Sequence, residues 1–155
     1  MRYFTISELS RSYTATKNGI DNTPGAVEKM HLIELIENLL DHVRYEWGEY
    51  CKKNGLGTGA LVASSGYRCP QLNKLVGGAK ASAHLYGYGA DIVPANGLIQ
   101  TFKKWLLNDF LKKDKYHLKY DQIILEKSSK SEWVHFGYKY KNTGRQRMQK
   151  FSLNV

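Results

Sequence analysis

Two histidines and one aspartate give the strongest indication of chemistry in this sequence. His84 and Asp91 are seven positions apart in a glycine-containing segment, and His135 lies much further along the chain. Two imidazoles and one carboxylate are a suitable ligand set for catalytic zinc, which takes three protein ligands and leaves a fourth position to water. Spacing alone leaves a structural role open for each of them, because an isolated histidine is more often structural than a ligand.

A loop and two strands are expected to position these residues. On a helix, the spacing of seven would place His84 and Asp91 on one face, but the two glycines between them each cost about 1 kcal/mol relative to alanine in a helix interior. We therefore expect a loop to carry His84 and a strand to carry Asp91. His135 belongs to the alternating segment 132–140, which predicts another strand.

Hydrophobic periodicity along the chain predicts an α+β fold, with helices packed on a small, mostly antiparallel sheet. One long amphipathic helix is predicted from 22–24 to Asn54-Gly55, with an apolar stripe formed by Val27, Met30, Ile33, Ile36, Leu40, Val43, Trp47 and Tyr50. A further long helix is predicted at 98–111 and a shorter one at 71–76. Strands are predicted at 60–64, 88–93, 120–126 and 132–140, and a polar loop at 14–23.

Length and composition indicate one folded domain that spans residues 1–155. The chain has 155 residues, of which 42% are hydrophobic and 24% charged, and these values argue against disorder. No apolar run approaches the roughly 18 residues that a membrane span requires, and the first residues lack the apolar core of a signal peptide. Synthesis in the cytoplasm is therefore expected. Cys51 and Cys69 are expected to be free thiols, and a single disulfide bond between them is the alternative.

The positive charge is concentrated in the last third of the chain. The net charge is +9, and residues 100–155 carry thirteen Lys or Arg against five Asp or Glu. The basic tail comprises Lys139, Lys141, Arg145, Arg147 and Lys150, interleaved with Tyr138, Tyr140 and Phe151. Such a surface attracts nucleic acid, an anionic membrane or a cell wall that carries carboxylates and phosphates, and it is equally typical of a plainly solvated surface.

Several short motifs together resemble the M15 family of zinc metallopeptidases. These motifs are Ser65-Gly66-Tyr67-Arg68, Leu72-Asn73, Val76-Gly77-Gly78, Ser82-x-His84-x6-Asp91 and Glu132-Trp133-x-His135. The family includes D-Ala-D-Ala carboxypeptidases and dipeptidases, and bacteriophage L-alanyl-D-glutamate endopeptidases. Segments 4–24 and 120–124 resemble a small phage and prophage branch. The resemblance implies a Hedgehog/DD-peptidase-like fold for a single catalytic domain.

The resemblance also implies a role for individual residues. It implies that a zinc ion (Zn²⁺) is bound by His84, Asp91 and His135. Glu132 matches the catalytic acid/base, Arg68 the arginine that stabilises the polarised carbonyl, and Ser82 a residue that lines the substrate site.

The position of Glu132 presents a geometric difficulty. Residues three apart on a flat strand point to opposite faces, so Glu132 reaches the same site as His135 only if the chain turns or bulges there. The preceding segment Ser128-Ser129-Lys130-Ser131 is typical of such a turn.

The expected function is hydrolysis of an amide bond in the peptide stems of peptidoglycan, by a monomeric phage or prophage endolysin. The enzyme is expected to be made without a signal peptide and to act on the cell wall after release. A D-Ala-D-Ala carboxypeptidase of bacterial wall metabolism is an alternative, because both activities share the metal apparatus. A non-catalytic wall-binding module is another. A nucleic-acid-binding function is supported only by the net charge and by the aromatic residues of the basic tail. Nucleic acid is therefore not expected as a partner.

Overall fold

A single five-stranded sheet organises residues 1–153, which the computed structural model describes. Its strands are β1 (Leu61–Ser65), β2 (Gly89–Pro94), β3 (Gln122–Lys127), β4 (Glu132–Gly137) and β5 (Gln149–Ser152). The strand order is β1-β2-β4-β3-β5. All neighbouring strands are antiparallel except β3 and β5, which are parallel. The predicted α+β class is confirmed, as are the four predicted strands. The fifth strand was not predicted.

The helices are α1 (Tyr13–Lys17), α2 (Ala26–Leu35), α3 (Asp41–Asn54), α4 (Pro70–Leu75), α5 (Ile99–Trp105) and α6 (Leu111–Lys113). A π-helical turn, Ile36–Leu40, joins α2 to α3, and a second, Leu106–Phe110, joins α5 to α6. The two long predicted helices are thus present, each with a π-helical turn inside it. The predicted polar loop at 14–23 is wrong in its first part, because the Ser12 hydroxyl caps α1 by accepting a hydrogen bond from the Ala15 amide.

The apolar stripe predicted for the first long helix is wrong at its beginning. Val27 and Met30 are 54% and 63% exposed. The buried face consists of Leu32, Leu35, Ile36, Leu39, Leu40, Val43, Trp47 and Cys51. A π-helical turn holds more residues than an α-helical turn, so the buried face shifts relative to an unbroken 3.6-residue repeat.

The two faces of the sheet differ in what covers them. Alternating residues of β2, β3 and β4 are buried in the main core with the long helices, namely Ala90, Ile92, Ile123, Leu125, Val134 and Phe136. The Trp47 ring lies in the same core, 5.1 Å from the Phe102 ring and 5.3 Å from the Trp105 ring. The intervening residues of these strands point to the opposite face, which carries the site described below.

Two further expectations concern the cysteines and the membrane. Cys51 and Cys69 are both free, and Cys51 is buried in the core. Among residues 1–153, no helix combines the length and the apolar character that crossing a bilayer requires.

Candidate metal centre

His84, Asp91 and His135 converge on one point of the sheet. Asp91 on β2 is the direct cross-strand partner of His135 on β4, so the two side chains share a face. The Asp91 Oδ1 atom lies 3.0 Å from His135 Nδ1 and 3.3 Å from His84 Nε2. One ligand atom from each residue can be chosen so that all three lie within 4.8 Å of one another. The structure therefore brings together the three residues that the sequence predicted as ligands.

The three atoms are suitably spaced for a small tetrahedral metal ion. Zinc bonds of about 2.0–2.1 Å to nitrogen and oxygen place two tetrahedral ligand atoms roughly 3.3 Å apart. Two of the three separations, those from Asp91 to each histidine, are 3.0 and 3.3 Å and close to that value. His84 and His135 are buried, and the Asp91 side chain is only slightly exposed. The donor set and its spacing fit a zinc ion with one coordination position left for another ligand.

The local conformation around His84 explains how its Nε2 atom is presented. His84 lies on a 3₁₀ turn, Ala83–Tyr86, which ends at Gly87 with a left-handed φ of 76°. Its Nδ1 atom lies 2.7 Å from the Gly66 carbonyl oxygen. Because a carbonyl only accepts hydrogen bonds, Nδ1 carries the proton, and Nε2 is left with a free lone pair towards Asp91. The expectation that a loop carries His84 and a strand carries Asp91 is confirmed.

Gly66 is required at its position by space. A Cβ atom there would clash with the Leu9 carbonyl oxygen. The adjacent Tyr67 amide donates to that same carbonyl at 2.6 Å, which holds the N-terminal segment against the loop after β1. The backbone thus positions the Gly66 carbonyl that orients His84.

Burial and neighbouring charge set the protonation states of the ligands. Burial lowers the pKa of His84, which favours the neutral imidazole that binds a metal. Burial alone would raise the pKa of Asp91, but the adjacent imidazoles of His84 and His135 hold it well below its usual range. A neutral histidine and an ionised aspartate are the forms that ligate metal ions.

Arg68 lies beside the three ligands, in the loop between β1 and α4. Its Nη2 atom is 3.9 Å from Asp91 Oδ2. Its Nη1 donates to Asn73 Oδ1 at 2.9 Å, and its Nε donates to Ser65 Oγ at 3.3 Å. These contacts hold the guanidinium in one orientation at the edge of the cluster. Burial lowers the pKa of Arg68, but a guanidinium stays charged at neutral pH.

A groove of about 800 Å³ lies beside Arg68, which is one of its lining residues. Gly66, Gly77, Gly78, Arg11 and Tyr13 are also among its lining residues. The three ligands are not among its lining residues. Arg68 and Gly66 both line the groove and contact a ligand of the candidate metal centre, so the groove lies next to that centre.

Glu132 is not brought to the cluster by the structure. Strand β4 pairs regularly with β3 from Glu132 to Gly137, without the bulge that would turn Glu132 towards His135. Its carboxylate accepts a hydrogen bond from Gln100 on α5 and lies 3.1 Å from Lys127 Nζ and 3.6 Å from Lys103 Nζ. These partners bind it at the edge of the helix-covered face.

Ser82 lies next to the centre, where its hydroxyl accepts a hydrogen bond from the His84 amide at 3.3 Å and caps the 3₁₀ turn. Its predicted contact with substrate stays a prediction.

Sequence reasoning missed two residues that the structure places at the site. Gly66 was quoted only as part of a motif, and nothing in its spacing indicates that its carbonyl orients His84. Glu126 lies on the same face as His135, and the two strands predicted at 120–126 and 132–140 were the signal that could have found it. With two strands joined by a short connection, the alternation of side chains decides which acidic residue faces the ligands.

These observations define an α+β domain with a candidate His₂Asp metal centre next to a groove. The model of the family described as Peptidase M15 matches residues 2–135. The chain therefore belongs to the M15 peptidase family and is a hydrolase of peptide bonds. A search of curated proteins finds no match to the chain.

Proposed function

We propose that this protein is a zinc-dependent peptidase that hydrolyses an amide bond in the peptide stems of peptidoglycan. The convergence of His84, Asp91 and His135 beside a fixed arginine carries the proposal. Membership of the M15 family supports it, because the family consists of peptidases. These three residues would hold the zinc ion, which would supply Lewis acidity to activate water and to polarise a substrate carbonyl.

Arg68 is suited to stabilise the negative charge that develops on the carbonyl oxygen during hydrolysis. Its guanidinium carries permanent charge and offers several fixed donors. Asn73 and Ser65 already hold it in place, so little side-chain freedom is lost when a substrate binds. Asp91 balances its charge from the other side.

The groove beside Arg68 supports a peptide substrate. Its volume of about 800 Å³ lies within the range of about 300–1,000 Å³ typical of ligand sites. Arg11 and Arg68 place positive charge at two points along it, and Tyr13 adds an aromatic ring that is 80% exposed. Peptidoglycan stems carry free carboxylates, which such a groove attracts.

We further propose that the protein is a phage or prophage endolysin that cuts the stem between L-Ala and D-Glu. The resemblance of segments 4–24 and 120–124 to the phage branch supports this reading. A D-Ala-D-Ala carboxypeptidase, which removes a terminal D-Ala, uses the same metal ligands. The experiment below distinguishes this activity from the endopeptidase.

Digestion of purified peptidoglycan tests both levels of the proposal. The protein is incubated with zinc, or with a chelator, and the new termini are identified by mass spectrometry. We expect zinc-dependent release of new L-Ala carboxyl and D-Glu amino termini. Free D-alanine in their place identifies the carboxypeptidase, and the absence of any new terminus refutes the peptidase proposal.

A further inference from the structure

Glu126 faces the candidate metal centre from the neighbouring strand. It is the direct cross-strand partner of Trp133, and His135 is the direct partner of Ile124. Direct partners share a face, and so do residues two apart on a strand. The Glu126 side chain is therefore on the face that carries His135 and Asp91, and diagonal to His135, a separation that a long side chain can span.

The carboxylate of Glu126 is close to the indole of Trp133 and, within residues 1–153, is in contact with no other side-chain hydrogen-bond donor. Within residues 1–153 it forms no ion pair and no hydrogen bond of ordinary geometry. The buried indole Nε1 of Trp133 likewise has no ordinary hydrogen-bond partner there. The two groups lie close enough for the indole to favour the ionised form of Glu126. Glu132, in contrast, is bound by three partners on the other face of the sheet.

The charged groups that affect the Glu126 carboxylate are residues of the candidate metal centre and the adjacent Arg68. Burial raises the pKa of its carboxyl group, Asp91 raises it further, and His135 and Arg68 oppose the increase. Lys103 donates to the backbone carbonyl of Glu126, not to its carboxylate. A partly buried carboxyl group that faces the metal centre and forms no salt bridge is placed to take and return a proton there.

We propose that Glu126, and not Glu132, is the general acid/base of the hydrolysis. The inference rests on the proposed peptidase function. The Glu126 carboxylate takes a proton from the attacking water as its oxygen bonds to the carbonyl carbon. It returns that proton to the amide nitrogen as the C–N bond breaks, so one water is consumed and one carboxyl and one amine are released.

Three glutamine variants of the zinc-loaded, full-length protein test the assignment on purified peptidoglycan. General acid–base catalysis is worth about 10²–10⁴-fold, so E126Q should lose at least about 100-fold in kcat while it keeps its zinc. E132Q tests the rival assignment and should lose far less. E49Q is the matched control, because Glu49 is exposed on α3, and it should behave as the unaltered protein does.

The opposite ranking of E126Q and E132Q would overturn the inference and return the role to Glu132. Equal losses in both variants, with zinc retained, would also overturn it. An unaltered protein that releases no termini refutes the peptidase function itself, and the assignment of Glu126 falls with it. Should E126Q not fold, E126D keeps the carboxylate at shorter reach. A lowered kcat with an unchanged KM in E126D is then expected, and an unchanged kcat contradicts the inference.

The pH dependence gives a readout that a merely structural role would not change. A general base acts when ionised, so kcat/KM should fall as the pH drops through the pKa of Glu126 in the zinc-loaded protein. In E126Q the residual activity should lose this acid limb. An acid limb of unchanged position in E126Q, with zinc still bound across that pH range, would show that another group acts as the base.

Discussion

Asp91 and His135 are 44 residues apart in sequence, yet they are direct partners in the β2–β4 pair, and their side chains meet at 3.0 Å. His84 approaches the same Asp91 oxygen from a 3₁₀ turn before β2. The central antiparallel strand pair thus supplies two of the three ligands on rigid backbone, which is the support that a metal site of defined geometry needs.

Zinc is expected to stabilise the fold through this trio. Saturation at 100 times the dissociation constant adds about 2.7 kcal/mol to the free energy of unfolding. Thermal unfolding with and without zinc should show a higher Tm for the metal-loaded protein. The D91A variant should bind no stoichiometric zinc by elemental analysis and should show no such shift. A zinc-dependent Tm in D91A that equals that of the unaltered protein would place the metal elsewhere.

The Gly66 backbone should control zinc affinity without touching the ion. In G66A the new Cβ meets the Leu9 carbonyl, and relieving that clash displaces the carbonyl that orients His84. Overpacking costs about 1–3 kcal/mol, and loss of such an orienting contact typically weakens metal binding by about 10–100-fold. Chelator competition measures the affinity, and urea denaturation measures the stability.

Gly57 offers a matched control for that experiment. Unlike Gly66, it has a φ that is unfavourable for other residues, 81°, and a Cβ there meets no atom within 4 Å. G57A should cost about 1–2 kcal/mol of stability from backbone strain and leave zinc affinity unchanged. Equal zinc affinity in G66A and G57A would show that the Gly66 carbonyl does not orient His84.

Glu132 is expected to stabilise the fold in a pH-dependent way. The hydrogen bond from Lys127, together with Gln100 and Lys103, holds the pKa of Glu132 below its usual value. A lowered native pKa means that the ionised carboxylate stabilises the fold above the ordinary glutamate pKa, and that this stabilisation is lost as the pH falls through the native pKa. Lys103 is only 2% exposed and depends on this nearby negative charge.

Thermal unfolding as a function of pH checks this role. E132Q should have a lower Tm than the unaltered protein near neutral pH, and the two Tm values should converge in acid. A constant difference at every pH would mean that the effect does not come from the charge of Glu132.

The pair formed by Arg147 and Asp121 should anchor the segment after β4. The Nε and Nη2 atoms of Arg147 donate to the two carboxylate oxygens of Asp121, at 2.6 and 2.8 Å. Asp121 is 1% exposed. R147A leaves this carboxylate buried without its partner, which costs about 3–5 kcal/mol in comparable cases. Urea denaturation should show that loss, whereas the control R145A should change stability by about 0.5 kcal/mol or less, because Arg145 is exposed.

The net charge of +9 should assist action on an intact wall. Salt shortens the range of electrostatic attraction from about 10 Å at 0.1 M to about 3 Å at 1 M. Lysis of whole walls should therefore slow at high salt, while hydrolysis of a small soluble stem peptide should change little. Equal salt effects on both substrates would show that wall attraction is not electrostatic.

In the basic tail, Arg147 and Lys139 already form ion pairs with Asp121 and Glu34. The other basic residues of the tail are therefore expected to contribute more to the attraction of the wall.

Much of the site could be read from the sequence because its signals are local. The glycines between His84 and Asp91 indicate a loop before a strand, and the alternation around His135 indicates another strand. The choice of these three residues as one set came from the resemblance to the M15 peptidases. The α+β class follows from hydrophobic periodicity, which depends only on neighbouring residues.

The tertiary structure decided what depends on pairing between distant segments. Strand β5 forms because Gln149–Ser152 can pair in parallel with β3, and four residues show no period of their own. The π-helical turn moved the buried face of the first long helix away from Val27 and Met30. Most of all, the register of β3 on β4 placed Glu126, and not Glu132, on the face of His135. A slip of one residue exchanges the two faces of a strand, and that register is a property of the paired strands, not of either one alone.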